Sequence, residues 1–418
     1  MRLHPAVATH LEEVLREVLR FTGPADVVVS RYFREHPKLG PRERGAVAEG
    51  AFAVLRNKLS YASFAESGTG SLMRRLALLG LADVAGIDAL AGLTTEENDW
   101  LQRIARIDRS SLPLAMRANL PPWLLEKLVQ QDGEEATLAL SDALNRPAPL
   151  DLRVNALKAK REDALAGLAE AGITAEPTPF APLGIRVPKK PALQNIPMFR
   201  EGLIEVQDEG SQLLAQIVAA RRGEMVVDFC AGAGGKTLAL GAAMRNTGRL
   251  YAFDVSEKRL AKLKPRLARS GLSNVHPGVI AHENDTKVKR LAGKVDRVLV
   301  DAPCSGLGTL RRNPDMKWRQ TMDSVAELNA KQAAILDSAA RLLKAGGRLV
   351  YATCSLLPEE NEAIASAFLA KHADFMLVPM REVLAEQKIP LEMQDYLKLQ
   401  PHVHQTDGFF AAVFERRK

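Results

Sequence analysis

From about residue 216 onward the chain repeats one pattern, a short apolar run followed by a charged segment long enough for a helix. The runs are Met225–Phe229, Arg249–Phe253, Arg297–Val300 and Arg348–Ala352. Strands separated by helix-length segments cannot pair as tight hairpins, so they form a parallel sheet covered by crossover helices. A further run, Phe409 to Phe414 after Gly408, reads as a late strand. In an open sheet of this kind ligands bind beyond the carboxyl ends of the strands. The residues that follow each run are therefore the first candidates for chemistry.

The rest of the chain reads differently. Residues 1–115 read as helical: Leu11, Val14, Leu15, Val18 and Leu19 follow helical spacing, and Pro41 opens a segment whose apolar positions include Ala51, Phe52, Val54 and Leu55. Residues 116–215 open on Pro121-Pro122-Trp123 and contain strand-like Leu150–Val154, helical Asp163–Ala171 and strand-like Gly184–Val187. That alternation predicts a small α+β module. Its Arg153, Lys158, Lys160 and Arg161 are candidates for phosphate contact, against the ordinary reading of a solvated face. At 418 residues the chain is long enough for these three domains, each with its own core. The expected fold class is α/β: a Rossmann-like sheet at 216–418, the α+β module before it and an all-helical amino-terminal domain.

Charge and cysteine usage narrow the setting. The excess of 57 Lys and Arg over 50 Asp and Glu gives a net charge of +7, which favours a polyanionic partner such as nucleic acid without requiring one. Three cysteines without paired spacing argue against a disulfide framework and fit a reducing cytoplasm. No run approaches the ~18 apolar residues of a membrane span. The histidines are scattered, and the close pair His402 and His404 lacks further ligands nearby in sequence, so no metal is expected. The protein is expected to be a cytoplasmic monomer.

After Asp228 and Phe229 comes the loop Cys230-Ala231-Gly232-Ala233-Gly234-Gly235-Lys236-Thr237, then helix-forming Leu238, Leu240 and Ala243. Glycines there let the backbone approach a ligand and turn sharply into a helix. The next run ends at Asp254, where a carboxylate can accept both hydroxyls of an adenosine ribose. Nicotinamide dinucleotides and S-adenosylmethionine share that geometry. The loop lacks the third glycine that seats a pyrophosphate on the helix, and the acid Asp228 suits a cationic sulfonium better. The Gly-Lys-Thr ending also lacks the glycine spacing of a phosphate-binding loop. S-adenosylmethionine is the expected cofactor.

Two later runs each lead to a cysteine followed by a serine: Asp301-Ala302-Pro303-Cys304-Ser305 and Ala352-Thr353-Cys354-Ser355. Most cysteines are small buried hydrophobes, and Cys230 is read mainly that way. Two thiols at strand ends beside a cofactor loop instead point to covalent chemistry.

Taken with the loop, these two runs resemble the RsmB/NOP family of RNA cytosine-5 methyltransferases. Further matching stretches are Arg311-Arg312-Asn313-Pro314-Asp315-Met316-Lys317-Trp318, Leu357-Pro358-Glu359-Glu360-Asn361-Glu362 and Asp407-Gly408-Phe409-Phe410. The resemblance covers the chain from about Pro121 to its end. It departs at the loop, where the family has Ala-Ala-Pro-Gly-Gly-Lys and this chain has Ala231-Gly232-Ala233-Gly234-Gly235-Lys236. It is poor at the amino terminus, which is short for a domain like the antitermination factor NusB.

The resemblance implies a class I methyltransferase core holding S-adenosylmethionine at Cys230 to Lys236, Asp254, Asp285 and Asp301, with Asp285 toward the adenine amino group. It implies rRNA as partner, with the small-subunit rRNA foremost. A tRNA methyltransferase and a non-catalytic RNA-binding assembly factor are the alternatives. Spacing does not decide which thiol attacks carbon 6 of cytosine. A Pro-Cys motif serves in DNA cytosine methyltransferases and points to Cys304, whereas the RNA family uses Thr-Cys and points to Cys354. Following the RNA family, Cys354 is the expected nucleophile and Cys304 the helper in product release. Asp301 is expected to act at ring N3, and Lys236 to contact the carboxylates or the base. Arg311, Arg312, Lys317 and Trp318 combine cations with an aromatic ring and are expected to contact RNA.

Overall fold

Helices and strands follow the apolar periodicity closely in a computed structural model that describes residues 2–188 and 191–418. Internal contacts divide the chain into two units. One runs through Pro147 and also takes Thr309–Met322; the other comprises Ala148–Gly308 and Asp323–Lys418.

The first unit is all-helical. Helices Ala6–Val18, Pro41–Arg56 and Leu72–Ala85 bury one stripe each, with Leu11, Leu15, Val47, Val54, Leu55, Leu78 and Leu81 at its centre. Pro41 stands at the first position of its helix, where its missing N–H has no intrahelical partner to lose. The helices continue beyond the expected limit at 115 through Leu114–Ala118, Pro122–Asp132 and Glu134–Leu144. Pro121-Pro122, read as the start of a new module, begins another helix for the same reason as Pro41.

The second unit holds two sheets. Strands β1 (Leu150–Val154), β2 (Glu176–Pro177), β3 (Gly184–Val187) and β4 (Ile204–Val206) form an antiparallel sheet in the order β2-β3-β1-β4. Leu168 of helix Arg161–Glu170 packs with Leu152, Val154, Ile185 and Ile204 to form its core. The larger sheet comprises β5 (Met225–Asp228), β6 (Arg249–Asp254), β7 (Val275–Val279), β8 (Val295–Asp301), β9 (Leu343–Thr353), β10 (Phe375–Val378), β11 (Leu397–Leu399) and β12 (Phe409–Arg416). Its order is β10-β12-β9-β8-β5-β6-β7, with β11 also on β12. Strands β5 to β9 pair in parallel, and β12 runs antiparallel to β9. The order reverses between β5 and β8, so a crevice is expected at their carboxyl ends.

The expected parallel sheet is present, and it gains β7, which the apolar pattern did not reveal. Pro277 and Gly278 interrupt that strand, and its place at the sheet edge tolerates both. Among the described residues no helix is long and apolar enough to cross a membrane.

Candidate active site

The sheet brings Asp228, Asp254 and Asp301 to the carboxyl ends of β5, β6 and β8, and Cys354 follows β9. Asp285 lies in the loop after β7. The glycine loop joins β5 to helix Gly235–Ala243. Gly234 has φ +83°, and a methyl group there would stand 2.1 Å from Leu263 Cδ1. Only glycine makes this turn against the neighbouring helix. The Gly232 N–H donates to Asp254 Oδ2 at 2.8 Å, fastening the loop to β6.

The carboxylates are partly prepared for a ligand. Asp228 is 1% exposed; Thr237 Oγ1 donates to its Oδ2 at 2.7 Å, while its buried Oδ1 has no partner. Burial pushes its carboxyl up to about 7, and Asp301 and Asp254 add to the rise against Thr237 and Lys236. An orphaned, buried acceptor suits a cationic or N–H-bearing ligand, which fits a sulfonium cofactor. Asp254 also accepts from Ser256 N at 2.7 Å and from Arg259 Nη2 at 3.1 Å, and the Arg259 side chain is largely exposed. Asp285 caps the turn that follows it, accepting from Lys287 N and Ala281 N at 2.8 and 2.9 Å. These N–H bonds hold its carboxyl below the usual range.

An acid whose pKa rises on folding stabilises the fold only while it stays protonated, and that contribution is lost as pH climbs through the folded value. The window for Asp228 runs from its ordinary value, near 4, to about 7. Asp228→Asn should therefore stabilise the ligand-free protein on the order of 2 kcal/mol more at pH 8 than at pH 5. Thermal melts at the two pH values check this; an equal effect at both contradicts it.

The two cysteine loops meet. Cys304 Sγ lies 3.3 Å from Cys354 Sγ, and the Cys354 N–H donates to Cys304 Sγ at 3.3 Å. Both thiols are partly exposed. The hydrogen bond with Cys354, burial and the charge of Glu360 together push the Cys304 thiol up. Burial and the surrounding acids do the same to Cys230, which keeps it a thiol. Lys236 Nζ donates to Asp301 Oδ2 at 2.7 Å. Burial alone would lower its pKa, but Asp301 and Asp228 outweigh it and hold the group an ammonium.

Several positioning contacts escaped the sequence reading. Gly308 N donates to the Cys354 carbonyl and Gly408 N to the Gly308 carbonyl, both at 2.8 Å. A methyl group on Gly308 would lie 2.2 Å from the Gly408 carbonyl oxygen. Gly308→Ala should thus cost about 1–3 kcal/mol of stability and loosen the thiol pair, which chemical denaturation and the transfer rate would report. Phe409 places its ring 5.9 Å from Lys236 Nζ. Arg153, read as a phosphate contact, is buried in β1 and donates to the Gly235 carbonyl at 2.7 Å, supporting the loop. Lys158 Nζ is likewise engaged by the carbonyls of Glu201 and Arg269, at 2.7 and 2.6 Å.

The segment expected to contact RNA is placed otherwise. Lys317 is 1% exposed, and its Nζ donates to the Arg56 carbonyl and to Asn145 Oδ1 at 2.9 and 2.8 Å. Burial and the neighbouring Arg56 push its pKa well down. Trp318 Nε1 donates to the Leu55 carbonyl at 2.8 Å, and its ring packs on the helical core. These two side chains anchor Thr309–Met322 within the first unit and are withdrawn from any phosphate or base. Arg311 is also buried, and its carbonyl accepts from Arg56 Nη2 at 3.3 Å, while Arg312 is half-buried. Among the described residues one group, His10, Glu13 and His36, has metal-ligand atoms within 4.8 Å of one another. The Tyr32 hydroxyl already bonds His10 Nδ1 at 2.7 Å and Glu13, and His36 Nδ1 pairs with the Tyr32 carbonyl at 2.9 Å.

Comparison with known proteins places this geometry. Residues 215–415 match the family model described as 16S rRNA methyltransferase RsmB/F, and residues 120–194 match the ferredoxin-like domain of the same proteins. The chain is 34% identical to a Synechocystis protein named probable ribosomal RNA small subunit methyltransferase B, over 96% of this chain and 98% of that one. It is 35% identical to ribosomal RNA small subunit methyltransferase B of Serratia proteamaculans, over 87% of this chain and 80% of that one. A solved methyltransferase homologue from Pyrococcus horikoshii superposes with a TM-score of 0.63 at 30% identity, covering 74% of this chain and all of the other.

Proposed function

This chain belongs to the RsmB/F family of methyltransferases, and from that premise we propose that it methylates carbon 5 of a cytosine in small-subunit rRNA, with S-adenosylmethionine as methyl donor. The observation that carries the reading is the pair of thiols 3.3 Å apart at the ends of adjacent parallel strands, beside the Lys236–Asp301 ion pair. That the relatives are ribosomal RNA small subunit methyltransferases, or probable ones, supports the RNA class.

Carbon 5 of cytosine is a weak nucleophile, and a thiolate added at carbon 6 turns the ring into an enamine. Cys354, as its thiolate, adds to carbon 6, and the electrons displaced toward ring N3 are met by a proton that passes from the Lys236 ammonium through Asp301. S-adenosylmethionine, when bound, supplies an electrophilic methyl group for carbon 5. Cys304, once its own proton has left to solvent, takes the carbon 5 proton; the bond from Cys354 sulfur to carbon 6 breaks, returning the thiolate, and the N3 proton goes back through Asp301 to Lys236. Asp228, Asp254 and the loop from Cys230 to Lys236 would hold the donor, and Asp285 would accept from its adenine amino group. A base within a duplex cannot reach two half-buried thiols, so the target cytosine is unpaired or flipped.

Bisulfite mapping of total RNA from cells with and without the gene tests the proposal. A single small-subunit rRNA cytosine that converts only in the deletion is the expected result. A tRNA position, or no such position, contradicts it.

A further inference from the structure

Beneath the two cysteine loops lies Glu360, a carboxylate with no exposed surface and no lysine or arginine paired to it among the described residues. Its Oε1 accepts from Ser305 N at 2.8 Å and from Gln332 Nε2 at 3.0 Å. Its Oε2 accepts from Ser305 Oγ at 2.5 Å and from Ser355 Oγ. Ser305 and Ser355 immediately follow Cys304 and Cys354. The Glu360 backbone is fixed as well, since Tyr351 of β9 donates its hydroxyl to the Glu360 carbonyl at 2.5 Å.

Burying a carboxylate without a cation is costly unless hydrogen bonds satisfy it. Here four donors converge on it, and two of the three residues supplying them belong to the thiol loops. An ionised carboxylate accepts at both oxygens, whereas an amide or hydroxyl of similar size accepts at one, so no neutral side chain could receive both serines and Gln332. We propose that Glu360 is a positioning residue that binds the Cys304 and Cys354 loops to one another and sets the separation of their thiols. The inference rests on the reading of these cysteines as the reacting thiols. Asn361 reinforces one side, accepting from Thr353 Oγ1 at 2.5 Å and donating to the Ser355 carbonyl at 3.1 Å.

The test measures thiol proximity in the full-length protein without RNA. Glutathione disulfide is reduced to two glutathione thiols as a Cys304–Cys354 disulfide forms, and mass spectrometry follows internal disulfide against mixed disulfide. In Glu360→Gln an N–H group replaces one acceptor and faces hydroxyl and N–H donors. The internal disulfide should form about a hundredfold more slowly, with kcat reduced similarly and KM for RNA little changed. Ser355→Ala, which removes one donor and keeps the carboxylate, should give an intermediate loss and stands in if Glu360→Gln does not fold. Either variant, folded and binding S-adenosylmethionine normally, overturns the inference if it forms the internal disulfide at the wild-type rate. Wild-type protein that forms the disulfide readily but transfers no methyl to RNA overturns the functional reading and leaves the clamp standing.

Discussion

Cys354→Ala is expected to abolish both methyl transfer and any covalent complex with RNA, while Cys304→Ala still attacks RNA and remains attached to it. The asymmetry follows from the two roles. Without Cys354 no nucleophile adds to carbon 6, and the rate should fall by at least about 10⁴-fold, the scale of losing an attacking group. Without Cys304 the addition and the methylation proceed, but the carbon 5 proton has no acceptor. Turnover should fall about 10²- to 10⁴-fold, the usual contribution of a general base, and the adduct accumulates. Denaturing electrophoresis with labelled RNA separates the two variants. Cys304→Ala also removes the acceptor of the Cys354 N–H, and either variant removes the contact between the two thiols. Cofactor affinity should be measured alongside, and it should be unchanged in both.

The second large effect concerns Lys236. Its ammonium is mostly buried and lies 2.7 Å from Asp301, with Asp228 also acting on it. Lys236→Met removes the cation shared by two carboxylates at the mouth of the cofactor loop. Transfer should fall about 10²- to 10³-fold, because Asp301 loses the partner that orients it. The sign of the pH effect also follows. Lys236 lowers the Asp228 pKa, so its removal raises that pKa further, and the acidic limb of the pH–rate profile should move to higher pH. An unchanged acidic limb would show that these acids do not act in the step observed. Asp301→Asn keeps the shape but not the charge and should retain little activity, since the amide cannot relay a proton from Lys236 to ring N3.

The candidate site was legible in the sequence as a cluster because its residues follow strand ends and carry rare types. Glycines mark the loop after β5, Asp228 and Asp254 close their strands, and two of three cysteines sit in matching contexts. Burial was not legible. Lys317 and Trp318 have the composition of an RNA contact, yet the same long stem and indole serve equally to fill a helical core, and only the fold shows Lys317 Nζ bonded to the Arg56 carbonyl. Arg153 lies in a strand buried along its whole length, so its charge ends on the Gly235 carbonyl instead of on solvent. Strand β7 was hidden by Pro277 and Gly278. Glu360 was visible only as one of two adjacent glutamates. The serine after each cysteine was the available signal, but its meaning needs both loops in one place.

Peptide mapping of the complex trapped by Cys304→Ala tests the central claim most directly. The protein is incubated with small-subunit rRNA and S-adenosylmethionine, then digested with nuclease and protease. The account predicts a nucleotide remnant of methylated cytidine bonded to the sulfur of Cys354. A remnant on any other residue, or labelled methyl in RNA at an atom other than cytosine carbon 5, would contradict it.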